Sequence, residues 1–462
     1  MKEERAHALQ SIRRVGRKLA LLLIPLIRQL LARPETFWSA VTEGLENILL
    51  AVGLLIAVIA EGRSVRFQVT SRKIRLRSGL LIRRQTQYLR PASCISWTQG
   101  LPLRFFHAFR MQLHTALHHP ETPLYLSRAQ TRHMLHRCAP HPTARPQFRP
   151  TPLRFWAAAF AQSNAATGLL VAIPVVRFSA QLFGNELEAL QLVRFDPRLY
   201  LIQRGLPPLT AALVTGFIIG WAVALIEQLR RFSNFTASRC LNGWLTESGI
   251  GIRQLAFTAR GRTPLLIRRN LLMHLADAVT LTALPADGSK NHTLLYASSA
   301  AQLKDWFRSE WKSGPELVHV APMQRSRLYA CWRELLILTV CLGSVAVGMR
   351  LKMPAGLLPF PIGAGILALL HGLLRQFFFS HIGFRCGRHW IAVCRFSRFT
   401  LQTMYIPFAQ IGQIRLRQVG LWPRGRTCSL RIQAAGRHTV SVSGLPLRKV
   451  FRLLHEIPKT FR

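Results

Sequence analysis

The sequence predicts an α+β membrane protein in which three pairs of transmembrane helices are each followed by a β-rich unit that ends in a helix. Three observations predict this: apolar residues cluster in six blocks, basic residues concentrate outside the block pairs, and a strand-to-helix pattern recurs after each pair. The chain has 462 residues, 49% of them apolar, with 62 basic residues against 19 acidic ones. That apolar content argues against a disordered basic tail.

The six apolar blocks approach the length that a hydrocarbon core of about 30 Å requires. They lie at 19–32, 45–60, 156–176, 209–229, 335–349 and 353–374. The block at 209–229 is the clearest, and the last two form a tight pair joined by three residues. The first pair is the weakest, because one block contains Pro25 and Arg28 and the other is short. Either of these two could instead be an interfacial or buried helix.

The basic residues support this pairing. If each pair forms a hairpin, 53 of the 62 cations fall on one side of the membrane, while the three short connections hold six charges of each sign. The positive-inside rule then places both termini and the long segments in the cytoplasm. We therefore expect a multi-pass membrane protein.

The long segments have the pattern of strands followed by a helix. In the first segment, Val69, Ile74 and Leu76 alternate with polar residues, and Ser78-Gly79 is typical of a turn. Each segment closes with a short apolar strand, a serine and an amphipathic helix. The serines, which we predict to be N-caps, are Ser127, Ser298 and Ser443.

This arrangement resembles the bacterial pleckstrin-homology-like proteins, also called membrane-flanked domain proteins, and in particular their three-copy, YdbT-like members. The matching residues are Tyr88–Pro91, Tyr405–Pro407, the run at 77–84 and the serine-started helices. The resemblance implies PH-like β-sandwiches or barrels, each with a C-terminal helix, after three transmembrane hairpins. The expected organisation is a basic arm with the first pair at 1–60, PH-like domain 1 at 61–150, a second pair at 151–230, a divergent PH-like domain 2 at 231–315, a third pair at 330–376 and PH-like domain 3 at 380–462.

A basic run in the first unit is the candidate binding surface for anionic lipid headgroups. On a strand, Arg75 and Arg77 share one face while Ile74 and Leu76 occupy the other. The alternative is a solvated edge that discourages strand pairing. The candidate residues are Arg72, Lys73, Arg75, Arg77, Arg83 and Arg84.

No motif indicates catalysis, a cofactor or a metal. Seven histidines lie within 107–141, but prolines interrupt the region, so a polar surface is favoured over a zinc site. The chain has no H-E-x-x-H, G-x-S-x-G, P-loop or Rossmann pattern. Nucleic acid is not expected as a partner, because the cations are spread over three units without a recognition motif.

The function predicted is that of a non-enzymatic membrane protein whose basic domains bind lipids or proteins at the cytoplasmic face. The resemblance adds a role in envelope stress or resistance to antimicrobial compounds, and a second membrane-flanked protein as partner. The alternative is a transporter or exporter component, in which Glu227 or Glu334 marks a pathway through the helices.

Overall fold

The computed structural model describes part of each predicted segment. The described residues are 4–5, 49, 52–53, 56, 66–69, 74–78, 85–89, 94–114, 124–138, 147–163, 201–203, 208–240, 243–250, 253–259, 263–284, 291–310, 318–323, 331–351, 359–387, 390–397, 399–418, 427–434 and 438–455. The predicted first helix pair therefore lies outside them, apart from four positions between 49 and 56.

The first unit consists of two groups of antiparallel strands and two helices. The first group is β1 (Glu4–Arg5), β2 (Arg66–Val69), β3 (Ile74–Ser78) and β4 (Gln85–Leu89). The second group and its helices are β5 (Cys94–Gln99), α1 (Leu101–Phe105), β6 (Ala108–His114), β7 (Leu124–Ser127) and α2 (Arg128–Cys138).

The second unit repeats this element order after two further helices. These helices are α3 (Pro152–Gln162) and α4 (Pro208–Phe232). The unit comprises β8 (Thr236–Cys240), β9 (Gly243–Ser248), β10 (Arg253–Ala259), β11 (Leu265–Asn270), α5 (Leu271–Leu275), β12 (Val279–Ala283), β13 (His292–Ser298) and α6 (Ala300–Glu310).

The third unit follows a pair of long helices. Between the second unit and this one lie β14 (Val318–Val320), α7 (Trp332–Arg350) and α8 (Pro359–Phe377). The unit comprises β15 (Gly383–Cys386), β16 (Trp390–Ser397), β17 (Thr400–Pro407), β18 (Ile411–Gln418), β19 (Thr427–Ala434), β20 (Thr439–Pro446) and α9 (Leu447–His455).

The units share their sheets, which corrects the prediction of separate PH-like sandwiches. In the described residues a six-stranded sheet has the order β7-β6-β5-β10-β9-β8, and a seven-stranded sheet has the order β13-β12-β11-β17-β16-β15-β14. Each therefore joins the second half of one unit to the first half of the next. The two remaining sheets, β1-β2-β3-β4 and β18-β19-β20, belong to one unit each.

The junction in the six-stranded sheet is a regular antiparallel ladder. Cys94 pairs with Thr258 and Gln99 with Arg253, with four further pairs between them. The Cys94 Sγ and Thr258 Oγ1 atoms also lie 3.5 Å apart across the junction. Such a ladder satisfies the backbone of both strands, which would otherwise be open sheet edges.

The prediction of three transmembrane hairpins is wrong. Of the described residues, one helix, α7, is long and apolar enough to cross a bilayer, and Pro361–Phe377 is a shorter apolar helix. The predicted span at 156–176 begins inside α3, which has 11 residues and ends at Gln162. At 1.5 Å per residue that helix covers about 17 Å, too little for a bilayer core.

Helix α3 packs on the second unit. Its Ala158 and Ala159 are fully buried, the Gln162 amide donates a 2.7 Å hydrogen bond to Thr280 Oγ1, and the Asn270 amide donates to the Ala161 carbonyl. Alanine-rich sequence is compatible with close packing on protein as well as with lipid. The predicted span at 209–229 falls within α4.

Stacked aromatic rings fix the C-terminal end of α4 to the second unit. The ring of Phe232 lies 4.1 Å from that of Tyr296 on β13, nearly parallel to it, and Phe155 of α3 meets the same tyrosine edge-on. Burial raises the pKa of the Tyr296 hydroxyl well above its usual range. These contacts place the last turn of α4 beside β13, the edge strand of the seven-stranded sheet.

Two of the three closing helices, α2 and α6, begin with a capping box, and the box of α2 lies where the sequence predicted a cap. Ser127 Oγ accepts from the Gln130 amide N–H, while Gln130 Oε1 accepts from the Ser127 N–H. In the second unit the same pair of bonds joins Ser299 and Gln302. The predicted cap Ser298 instead donates its hydroxyl to the Val279 carbonyl, and Ser443 lies inside β20.

Candidate functional site

Helices α7 and α8 pack against each other in antiparallel orientation. Glu334 near the start of α7 contacts the end of α8, whereas Gly365 lies opposite Cys341 farther along α7; a Cβ built on Gly365 would lie 3.5 Å from that of Cys341. The two helices therefore approach closely at Gly365. Gly343 and Gly363 have no atoms within 4 Å of a built Cβ among the described residues.

The outward faces of this pair are apolar and exposed. The large exposed side chains are Leu335, Leu336, Ile337, Val340, Leu342, Val347, Met349, Ile362, Ile366, Leu367, Leu369, Leu370, Leu373 and Phe377. A contiguous apolar area of this kind greatly exceeds what a protein in water exposes. It is the surface expected of helices in contact with lipid or with another apolar partner.

A partly buried ion cluster holds the two helices together at the end that joins the third unit. Glu334 Oε1 accepts hydrogen bonds from His371 Nδ1 and Arg375 Nη1, both at 3.0 Å, and the Glu334 side chain is 11% exposed. The His371 ring also contacts Phe396 and Phe399 at the β16–β17 turn. The cluster thus links α7, α8 and the third unit.

The other acid singled out in the sequence, Glu227, is also paired. Its Oε2 lies 2.6 Å from Arg230 Nη2, one turn along α4, and both side chains are about half exposed. Each acid therefore has a cationic neighbour at a helix end. The Glu334 pair is partly buried, and the Glu227 pair is exposed to solvent.

Glu334→Gln is expected to destabilise the chain by about 2 kcal/mol, because it leaves Arg375 partly buried without its counter-charge. Thermal unfolding of the detergent-solubilised chain measures this. Glu227→Gln is the matched control, expected to change stability by less than about 0.5 kcal/mol because its pair is exposed. Equal effects of the two substitutions would contradict a structural role for the cluster.

The predicted lipid-binding residues are only partly within the described residues. Arg75 and Arg77 lie on β3, where Arg75 pairs with Tyr88 of β4 and Arg77 with Thr86. Arg72, Lys73, Arg83 and Arg84 lie outside the described residues.

The structure contains a second basic strand, which the sequence reading missed. The sequence Ile-Arg-Leu-Arg of β3 recurs at 414–417 in β18. There Ile414 and Leu416 pack against the core of the third unit, while Arg415 and Arg417 are exposed. This repeated tetrapeptide was the signal that could have identified the strand.

The neighbouring strand extends this basic face. Arg431 of β19 is exposed and lies directly opposite Arg415. Like charges directly opposite each other destabilise a sheet pair. An anionic partner would remove that repulsion. We call Arg415, Arg417 and Arg431 the basic sheet face.

No metal site is found in the described residues. They contain no group of three or more side chains able to hold a metal ion, although His114, His118, His119 and His141 of the predicted cluster have no described side chains. The seven described cysteines are free thiols. Burial raises the pKa of the Cys240, Cys394 and Cys428 thiols, which keeps them protonated and unreactive.

Comparison of the chain with protein-family models, with curated proteins and with solved structures finds no match in any of the three.

Proposed function

We propose that the chain is a non-enzymatic membrane protein that helices α7 and α8 help to anchor, and that it presents basic β-sheets to anionic lipid headgroups. The exposed apolar surface of the helix pair is the observation that carries the proposal. In water, each exposed Leu, Ile or Val side chain forgoes about 1.5–3 kcal/mol of burial free energy. Contact with lipid acyl chains removes this cost.

The dimensions of the pair support a bilayer as its environment. Helix α7 has 19 residues, which corresponds to about 28 Å, close to the thickness of a hydrocarbon core. Arg333 and Arg350 lie at its two ends and are exposed, where long basic side chains can reach headgroups. With α7 and α8 crossing the bilayer as one hairpin, both termini lie on the same side of the membrane. We propose that this side is the cytoplasm of a bacterium, because it then holds nearly all of the chain's basic residues.

The basic sheet face lies in the unit that is directly attached to this pair. Phe378 and Phe379, immediately after α8, belong to the same core as Leu430 and Ile432 of β19. The helices and the sheet are thus parts of one packed body. Each cation near an anionic leaflet gains up to about 1 kcal/mol, an attraction that falls off within a Debye length of about 8–10 Å.

Enrichment of anionic lipid in the purified chain tests the proposal. The wild-type chain is expected to remain with membranes after an alkaline carbonate wash. After mild detergent extraction it should carry more phosphatidylglycerol, relative to zwitterionic lipid, than the bulk membrane does, as measured by mass spectrometry. Replacing the three arginines of the basic sheet face with glutamine should reduce that enrichment about threefold or more.

A charge-matched variant separates the sheet face from net charge. Arg448, Lys449 and Arg452 of α9 are exposed, so replacing them with glutamine removes the same charge from another surface. That variant should retain most of the enrichment. Equal loss in both variants, or no enrichment in the wild type, contradicts lipid binding by the sheet face, and release by carbonate contradicts the membrane anchor.

A further inference from the structure

The six-stranded sheet has one apolar and one polar face. On β5, Ile95 and Trp97 point to one side of the sheet, into a hydrophobic core that we call the first core. Its other members include Phe109, Met111, Leu255 and Phe257. The alternate residues Ser96 and Thr98 point to the opposite side, since side chains alternate along a strand. Sheet faces that are covered on both sides are usually apolar. A polar face on a covered sheet is therefore unusual.

The strand register brings polar side chains from both units into two adjacent rows. In the first row Ser248 pairs with Gln254, Gln254 with Thr98, Thr98 with Arg110, and Arg110 with Tyr125. In the second row Thr246 pairs with Ala256, Ala256 with Ser96, and Ser96 with Gln112. Ser96, Thr246 and Ser248 are each at least nine-tenths buried. Apart from Ala256, the rows thus form a floor of hydrogen-bonding side chains.

The end of α4 and the start of β13 form the opposite wall. Glu227, Arg231, Phe232 and residues 291–293 face the polar rows across a cavity of about 730 Å³. Backbone bonds hold this wall in place, because the Ile250 amide donates to the Arg230 carbonyl at 2.9 Å and the Gly249 amide to the Ser233 carbonyl at 2.8 Å. Pockets of 300–1,000 Å³ are typical of small-molecule sites.

The charged groups around the cavity favour an anion. Arg110 contributes one guanidinium from the floor and Arg231 a second from the wall. The lining includes one carboxylate, Glu227, whose Oε2 accepts a 2.6 Å hydrogen bond from Arg230. Glu227 also interacts electrostatically with Arg231. The lining therefore holds two guanidinium groups and one carboxylate, so its net charge is positive. The remaining polar lining consists mainly of neutral hydroxyl and amide groups.

We propose that this cavity binds a phosphate-bearing ligand with a small hydroxylated body. Guanidinium groups match phosphate oxygens in both charge and geometry. The serine and threonine hydroxyls and the Gln112 and Gln254 amides suit the neutral hydroxyls of the same ligand. The site is separate from the basic sheet face, and it exists only where the first and second units share their sheet.

The phosphate-bearing ligand could be a lipid headgroup or a free phosphate ester. Binding measurements on the full chain in detergent distinguish these two sources. The probes are glycerol 3-phosphate, a short-chain phosphatidylglycerol, and glycerol as the phosphate-free control, measured by isothermal titration calorimetry. Saturable binding of either phosphate compound, with none of glycerol, is expected. Binding of the lipid alone assigns the site to membrane lipid, and comparable binding of both assigns it to the phosphate group itself.

Substitutions in the floor and wall tie that binding to the cavity. Arg110→Gln and Arg231→Gln should each weaken it about tenfold, and Thr98→Val should weaken it less. Arg448→Gln on α9 is the control for net charge and should bind as the wild type does. Circular dichroism checks that each variant is folded. If Arg110→Gln does not fold, Arg231→Gln still tests the proposal, because Arg231 lies on α4 and not in the sheet. Absence of saturable binding, or equal affinity in the wild type and both arginine variants, overturns the proposal.

Discussion

Gly243→Ala is expected to destabilise the chain by about 3 kcal/mol or more, through the six-stranded sheet. Gly243 begins β9, where a Cβ would lie 2.1 Å from the Thr258 carbonyl oxygen and 3.1 Å from the Phe257 ring. Thr258 is a backbone partner of both β5 and β9. The clash can therefore be relieved only by moving the ladder that joins the first two units.

Gly412→Ala is the matched control for this prediction. Gly412 also lies in a strand, but its Cβ would lie 3.5 Å from the Gln433 carbonyl oxygen, an ordinary contact. We expect a change of less than about 0.5 kcal/mol for this variant. Denaturant unfolding in detergent, followed by tryptophan fluorescence, measures both. Similar midpoints for the two variants would contradict the packing described at Gly243.

The sequence predicts single strands and their faces better than it predicts their partners. The alternation around Ile74 and Leu76 indicated a strand that the structure contains. Nothing in the residues of β5 specifies β10 as its neighbour, because the backbone groups at a strand edge are the same for every partner. Sheet sharing between units therefore could not be predicted from local pattern.

Apolar blocks have a related ambiguity. The block at 156–176 is rich in alanine, which packs closely on protein, and its Ala158 and Ala159 are fully buried on the second unit. The blocks in α7 and α8 are rich in leucine and other large aliphatic residues, many of which are exposed. Amino-acid composition alone poorly distinguishes a helix that packs on protein from one that exposes its apolar side chains, because both kinds of helix have few charged residues.

The candidate sites differ in how far the sequence could indicate them. The basic sheet face repeats the tetrapeptide of β3, so comparing the two segments would have found it. The cavity could not be found this way, because its lining extends from Ser96 to Thr293 over two units. Only the strand register brings Gln254 beside Thr98.

Separating the first unit from the rest of the chain is expected to abolish its fold. Cys240, Leu255 and Phe257 of the second unit complete the first core around Trp97, and β5 loses a six-residue ladder when β10 is absent. Residues 1–145 expressed alone should aggregate or show no cooperative unfolding transition. Co-expressed with residues 146–462, they should copurify as a folded pair.

A core substitution shows whether the shared sheet holds this pair together. Phe257→Ala removes a ring that is 5% exposed, so it should cost about 3 kcal/mol and weaken copurification strongly. Arg448→Gln, on an exposed face of α9, should leave it unchanged. A cooperative transition for residues 1–145 alone, at the midpoint of the intact chain, would show that the first unit folds without β10. The isolated first unit lacks Thr246, Ser248, Gln254 and Arg231, so it would contain only part of the cavity floor and none of the opposite wall.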